Sequence, residues 1–177
     1  MEKKEITDRC PSCGHLWEEH EFGVPSPYCP IDYNEKQEES IDKVKQVIVM
    51  RKDLNMRKGK MIAQGAHASM KVILDCMIQQ DQFLCDQTWT SWKLSMWESS
   101  PMYKWLNGTF KKVVVYVSSE EKLLQIHKEA LQKGIFCSLI QDKGLTEFKG
   151  IPTYTCCAIG PDFSDKIDEI TKHLPLL

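Results

Sequence analysis

Hydrophobic and polar positions along this chain follow two periods in turn. Val47-Ile48-Val49-Met50 is a short apolar, largely β-branched run and predicts a strand. From Gly59 to Ile78 the residues Ile62, Ala66, Met70, Ile73 and Met77 recur at helical spacing, so a helix follows the strand. Lys60, Gln64, His67 and Lys71 stand at i, i+4, i+7 and i+11 of that helix and form a polar stripe opposite its apolar face. Val113–Val117 predicts another strand. Ser118 with Glu121 makes a capping box ahead of Leu123, Leu124, Ile126, Ala130 and Leu131, and Gly134 supplies the stop. Phe136–Ile140 and Tyr154–Ile159 read as two more strands, and Ser164–His173 as a last helix. Residues 81–107 hold Trp89, Trp92, Trp97 and Trp105 without a clean period, which predicts helical pieces or an irregular insertion. The sum is an α/β fold, a three-layer sandwich whose sheet of about four strands is flanked by helices.

The first 30 residues follow neither period. Pro11, Pro25, Pro27, Pro30, Gly14 and Gly23 break any long element between Cys10 and Pro30. Cys10-Pro11-Ser12-Cys13 has the two-residue spacing that brings two thiolates to one tetrahedral ion, and Gly14 frees the turn after it. Cys29 and a histidine complete a structural zinc site, with His20 preferred to His15 because His15 follows Cys13 too closely to reach the same ion without strain. A segment so poor in apolar residues cannot pack a core, and an ion would supply its cohesion. The chain is thus divided into a zinc-knuckle-like Cys/His segment over residues 1–30, an acidic linker over 31–44, and a main domain over 45–177.

Composition narrows the class. With 42% hydrophobic and 27% charged residues, the 177-residue chain is expected to be globular, with one core and a modest appendage. No apolar run reaches membrane-spanning length, and Met1–Cys10 carries charges where an export signal needs an apolar stretch, so a cytoplasmic location and reduced cysteines are expected. The net charge of −2 hides an asymmetry: residues 1–44 hold 5 basic and 11 acidic side chains, leaving 18 and 14 in the remainder. The main domain is basic, and its densest cluster, Arg51, Lys52, Arg57, Lys58 and Lys60, lies between the first strand and the first helix. A helix start attracts anions and disfavours lysine, so Lys60 stands against local preference. Asp142 falls at the end of an apolar strand, with Gly144 giving the turn after it, and loops at strand ends are where α/β folds build sites. There is no G-x-S-x-G elbow for a covalent serine hydrolase and no Gly-rich phosphate loop, while Cys156 and Cys157 sit inside a predicted strand and read as core residues.

Several separated blocks then carry a resemblance. These are Lys45-Gln46-Val47-Ile48-Val49-Met50-Arg51-Lys52-Asp53-Leu54, Lys58-Gly59-Lys60-Met61-Ile62-Ala63-Gln64-Gly65-Ala66-His67-Ala68, Leu139 to Phe148, Thr155 to Pro161, and Ile167 to Leu174. In this order they resemble the second class of peptidyl-tRNA hydrolases, and Gly144-Leu145-Thr146-Glu147-Phe148 is similar to the bacterial and phage branch of it. The resemblance implies a mixed sheet, a homodimer, and an active site drawn from Lys60, Gln64, Asp142, Thr146 and Thr155, with Thr153 a rival for the last. It implies hydrolysis of the ester between a peptide and the 3′ end of tRNA, with no metal or nucleotide needed for turnover. Asp142 would orient or deprotonate the water and Lys60 offset the developing charge, with Gln64 and the threonines fixing orientation. Lys52, Arg57 and Lys58 beside the site, with His67 and Lys71 on the helix stripe, are the expected tRNA contacts. The alternative is a non-catalytic tRNA-binding or adaptor protein on the same fold, against which Lys60, Asp142 and Thr146 speak together.

Overall fold

β-branched and apolar residues spaced by glycine, proline and capping serines set the order of elements. The computed structural model describes residues 43–84 and 87–177. The Cys/His segment, with Cys10, Cys13, His20 and Cys29, and the linker as far as Asp42 lie outside the described residues. In chain order the elements are β1 (Val44–Arg51), α1 (Lys58–Asp75), β2 (Ile78–Leu84), β3 (Gln87–Lys93), α2 (Pro101–Asn107), β4 (Lys112–Val117), α3 (Glu120–Gln132), β5 (Cys137–Asp142), β6 (Thr153–Phe163) and α4 (Ser164–Thr171).

Four strands form one mixed sheet in the order β4-β1-β6-β5. β1 runs parallel to β4, with Val49 opposite Val115, and antiparallel to β6, which is in turn antiparallel to β5. The period of two sorts the core residues. Val47, Val49, Val115, Val117, Cys157 and Ile159 face α3 and α4, where Leu123, Ile126, Ile167 and Ile170 cover them. Ile48, Met50, Cys156 and Ala158 face the other way, toward Ala68 and Val72 of α1. Both faces are covered, so the middles of the central strands, Val47–Met50 and Cys156–Ile159, are apolar on both sides. The C-terminal tail closes the β4 edge: Tyr116 N–H donates to Pro175 O and Leu177 N–H to Val114 O. Among the described residues no helix is long and apolar enough to cross a membrane.

Four expectations need correction. Strands β2 and β3 pair antiparallel, with Gln79 opposite Trp92 and Gln80 opposite Ser91, and among the described residues the helical part of the tryptophan-rich stretch is confined to α2. There Ser100 Oγ accepts the Tyr103 N–H and Pro101 opens the helix, while Trp105 is buried and stacked on Phe110. Helix α1 ends at Asp75 with Cys76 as its C-cap, and Ile78 already belongs to β2. Ser119, not Ser118, caps α3: its hydroxyl accepts the Lys122 N–H, while Ser118 takes a bond from the Lys122 side chain.

The fourth correction is a rotation of α1 about its axis. The face against the sheet is Gln64, Gly65, Ala68 and Val72, whereas Ile62 is 73% and Met70 58% exposed. Gly65 and Ala68 are small enough to bring the helix close to Met50 and Ile48. Consequently the stripe Lys60, Gln64, His67 and Lys71 does not lie opposite the core face, since Gln64 is part of that face. The apolar residues Ile62, Ala66, Met70 and Ile73 line an open cleft of about 770 Å³ between α1, Phe110 and Leu177.

Candidate active site

Three parallel strands place their carboxyl ends on one edge of the sheet: β1 at Arg51, β4 at Val117 and β5 at Asp142. Helix α1 starts at this edge and β6 enters it at Thr153. Edges of this kind gather the loops on which sites are built.

The dissonant lysine of the helix start finds its partner here. Lys60 Nζ lies 2.6 Å from Asp142 Oδ2 and donates to Thr146 Oγ1 at 3.2 Å, with its side chain 14% exposed. The Phe148 ring lies beneath it, 5.6 Å from Nζ to the centroid. Gln64, one turn further along α1, donates from Nε2 to the same Asp142 Oδ2 at 2.9 Å. Its own Oε1 accepts the Thr155 hydroxyl at 2.6 Å, and both residues are buried. Asp142 Oδ1 accepts the Gly144 N–H at 2.9 Å. Gly144 needs to be glycine: its φ is +80°, and a Cβ would stand 2.3 Å from Ile151 O.

The network brings together Lys60, Gln64, Asp142, Thr146 and Thr155. Thr153 stays out of it, its hydroxyl turned to Ile151 O in its own loop. The Lys60 hydrogen bond is the largest influence on Asp142 and holds its carboxyl below the usual carboxylate range, helped by the Gly144 N–H and Gln64 and opposed by burial. The result is an ionised acceptor with reduced basicity. Lys60, Gln64, His67, Asp142 and Thr146 line a cleft of about 430 Å³.

The surrounding charges divide into tied and untied ones. Arg51 is a structural residue, bonded to Asp53, to Glu120 Oε2 at 2.6 Å and to Tyr154 O. Lys52 is exposed, with Nζ 4.0 Å from the centre of the Tyr116 ring, and Lys58 and His67 are also exposed. Arg57 pairs with Glu147 and Lys71 with Asp75, one helical turn on. Burial pushes the Cys156 thiol up to about 11 and raises that of Cys157 as well, so neither supplies a thiolate near neutral pH. Among the described residues no group of three His, Cys, Asp or Glu is placed to hold a metal. Sequence reasoning gave Glu147 and Phe148 no part in the site. The sign that could have found Glu147 is its position directly after Thr146, combined with a helix start that has no acid of its own.

Comparison with known proteins agrees with this geometry. The family described as "Peptidyl-tRNA hydrolase PTH2" matches residues 44–177. A peptidyl-tRNA hydrolase of Methanocaldococcus jannaschii is 40% identical over 134 residues, covering 76% of this chain and 100% of the relative. That of Metallosphaera sedula is 39% identical over 134 residues with the same coverage, and that of Nanoarchaeum equitans 41% over 133 residues, or 75% of this chain and 98% of its own. The four-stranded mixed sheet, the Lys60–Asp142 network at its edge and these matches over nearly whole relatives lead to one assignment: the chain belongs to the peptidyl-tRNA hydrolase PTH2 family.

Proposed function

We propose that this protein hydrolyses the ester between a peptide, or an N-blocked amino acid, and the 3′ end of tRNA. The observation that carries the reading is the convergence of Lys60 Nζ and Gln64 Nε2 on one oxygen of Asp142, at 2.6 and 2.9 Å, beside an open cleft. The names of the archaeal relatives support it.

Counting donors and acceptors suggests how the work is shared. Asp142 Oδ2 already accepts two bonds, whereas Oδ1 accepts only the Gly144 N–H and keeps a lone pair for water. Lys60 spends two of its three N–H donors on Asp142 and Thr146, and the third is available to the oxygen on which negative charge develops. Because Asp142 is a weakened base, its part is to orient the water. The water oxygen bonds to the carbonyl carbon, the bond from that carbon to the ribose oxygen breaks, and the proton released by the water ends on the departing ribose oxygen. Gln64, fixed by Thr155, keeps the carboxylate in place. The scheme uses no cofactor.

Lys52, Arg57, Lys58, His67 and Lys71 are the proposed tRNA contacts, supported by their position on the loop and helix that carry Lys60. The wording Gly144 to Phe148 favours the bacterial and phage branch. A homodimer is proposed on the strength of the exposed apolar side of α1. A structural zinc on Cys10, Cys13, Cys29 and His20 or His15 rests on the cysteine spacing alone, and a cytoplasmic location on the substrate. The test is a direct assay of purified protein on N-acetylated aminoacyl-tRNA without added metal or nucleotide. Turnover is expected, falling by about a hundredfold or more in Lys60→Ala and Asp142→Ala while both stay folded. Parent-rate turnover by Asp142→Ala would refute the role given to that residue.

A further inference from the structure

We propose that Glu147 is a positioning residue that caps helix α1 from across the chain and thereby holds Thr146 against Lys60. The helix begins without the groups that normally satisfy its start. Arg57 at the N-cap makes no side-chain cap bond, and the first turn contains no acid. Lys58 and Lys60 instead add positive charge where the helix dipole is already positive.

Glu147 meets both needs from 90 residues away. Its Oε2 accepts the Arg57 backbone N–H at 3.4 Å, the bond that a capping-box glutamate makes from inside its own helix. Its Oε1 accepts Arg57 Nε at 2.8 Å. The glutamate side chain is 15% exposed and the arginine 80%, so the carboxylate is set into the structure and the guanidinium reaches in to it.

The consequence for the site falls on Thr146, the residue before Glu147. Thr146 is exposed, and its bond to the site is the 3.2 Å contact from Lys60 Nζ. Its neighbour Glu147 binds the residue at the start of the helix that carries Lys60. On the far side Phe148 packs on the apolar cluster beneath α1, and Gly144 O accepts the N–H groups of Phe148 and Gly150. Between these anchors the Glu147 bond fixes the backbone that presents the Thr146 hydroxyl.

The proposal rests on Thr146 belonging to the hydrolytic site, and the experiment separates the two. In the full chain, Glu147→Ala is expected to lower kcat roughly tenfold with KM within about twofold, since misplacing a reacting partner costs rate more than binding. Glu147→Gln, whose amide oxygen still accepts from Arg57, recovers part of it. In a Thr146→Ala background Glu147→Ala lowers kcat no further, because residues acting through one contact are not additive. Hydrogen exchange should quicken at residues 57–61 and 143–152 in Glu147→Ala and stay unchanged in β1 and β6. A parent kcat, a loss that multiplies fully with Thr146→Ala, or unchanged exchange overturns the proposal. If Thr146→Ala itself keeps the parent rate, the hydrolytic role of Thr146 fails, and exchange alone then decides whether Glu147 holds the loop.

Discussion

Thr155 Oγ1 donates to Gln64 Oε1 at 2.6 Å and so joins the middle of α1 to the start of β6, with both side chains out of solvent. A glutamine amide can present either its oxygen or its nitrogen to a neighbour. Asp142, which can only accept, takes the nitrogen at 2.9 Å, and the oxygen is left to the Thr155 hydroxyl, which donates to it. The carboxylate thereby selects the orientation of the Gln64 amide, and Thr155 holds the amide in it.

Removing that hydroxyl is the first prediction. Thr155→Val leaves the buried Gln64 oxygen without a donor, at a cost of about 1–2 kcal/mol, and loosens the amide that supports Asp142. We expect kcat to fall about tenfold or more with little change in KM. Thr153→Val, which alters a hydroxyl bonded to Ile151 O, should stay within about twofold of the parent. Steady-state kinetics beside thermal melts distinguishes the two, and equal losses would remove the special place of Thr155.

Acid titration gives the second. Asp142 is held below its unfolded value chiefly by Lys60, so it binds its proton less readily in the folded state. Its contribution to stability is therefore present above the ordinary carboxylate pKa, about 3.9, and is lost as pH falls through the lower folded value. Carboxyl-carbon NMR should show Asp142 titrating below that ordinary value, and Lys60→Met should move the midpoint upward. A midpoint unmoved in Lys60→Met would mean that the ion pair is not what holds the carboxylate.

How far all this is legible in the sequence depends on contrast between positions. Val47 to Met50 and Val113 to Val117 announce strands because nothing polar interrupts them, and Asp142 with Gly144 announces a strand end and a turn. The β2–β3 pair is hidden because Gln79, Gln80, Thr90 and Ser91 leave no apolar face for a period of two to reveal. The rotation of α1 is hidden for a different reason. Ile62 and Met70 look like core but are exposed, while the residues that meet the sheet are marked by small size, Gly65 and Ala68, and by Gln64, whose partners lie 78 and 91 residues away. Spacing within one helix cannot show a bond closed by another strand.

Salt dependence tests the grip on tRNA. Lys52 and Lys58 are exposed on the segment leading into Lys60, so phosphate contacts there should make affinity fall steeply as salt rises. Changing either to alanine should flatten the plot of log affinity against log salt by roughly one unit of slope, for any tRNA body. Arg57 should contribute less, because Glu147 already holds it. An affinity indifferent to salt would place the contact elsewhere.

Metal content tests the N-terminal segment. Protein purified without added zinc should carry about one zinc per chain, as expected for a closed site of three cysteines and one histidine. Cys10→Ser with Cys13→Ser should abolish it, since the pair supplies half the ligands. His20→Ala and His15→Ala, measured separately, decide which ring completes the set. Metal that survives loss of both cysteines would defeat the assignment.

The exposed side of α1 gives the last prediction. Monomeric proteins seldom leave a large continuous apolar patch in water, because each buried Å² of such surface is worth about 25 cal/mol. Here Ile62, Met70, Leu74, Phe110 and Leu177 are all exposed, and several of them border the open cleft beside α1. A second copy of the same face could cover this surface, since two-fold pairing sets like against like. Ile62→Glu and Met70→Glu together would bring two carboxylates from each copy into such a contact without touching Lys60, Gln64 or Asp142. Sedimentation of the parent chain should then give the mass of a dimer and the double variant that of a monomer, with circular dichroism unchanged. A parent chain that sediments as a monomer at all concentrations, or a double variant that still pairs, would show that this face is not where two copies meet.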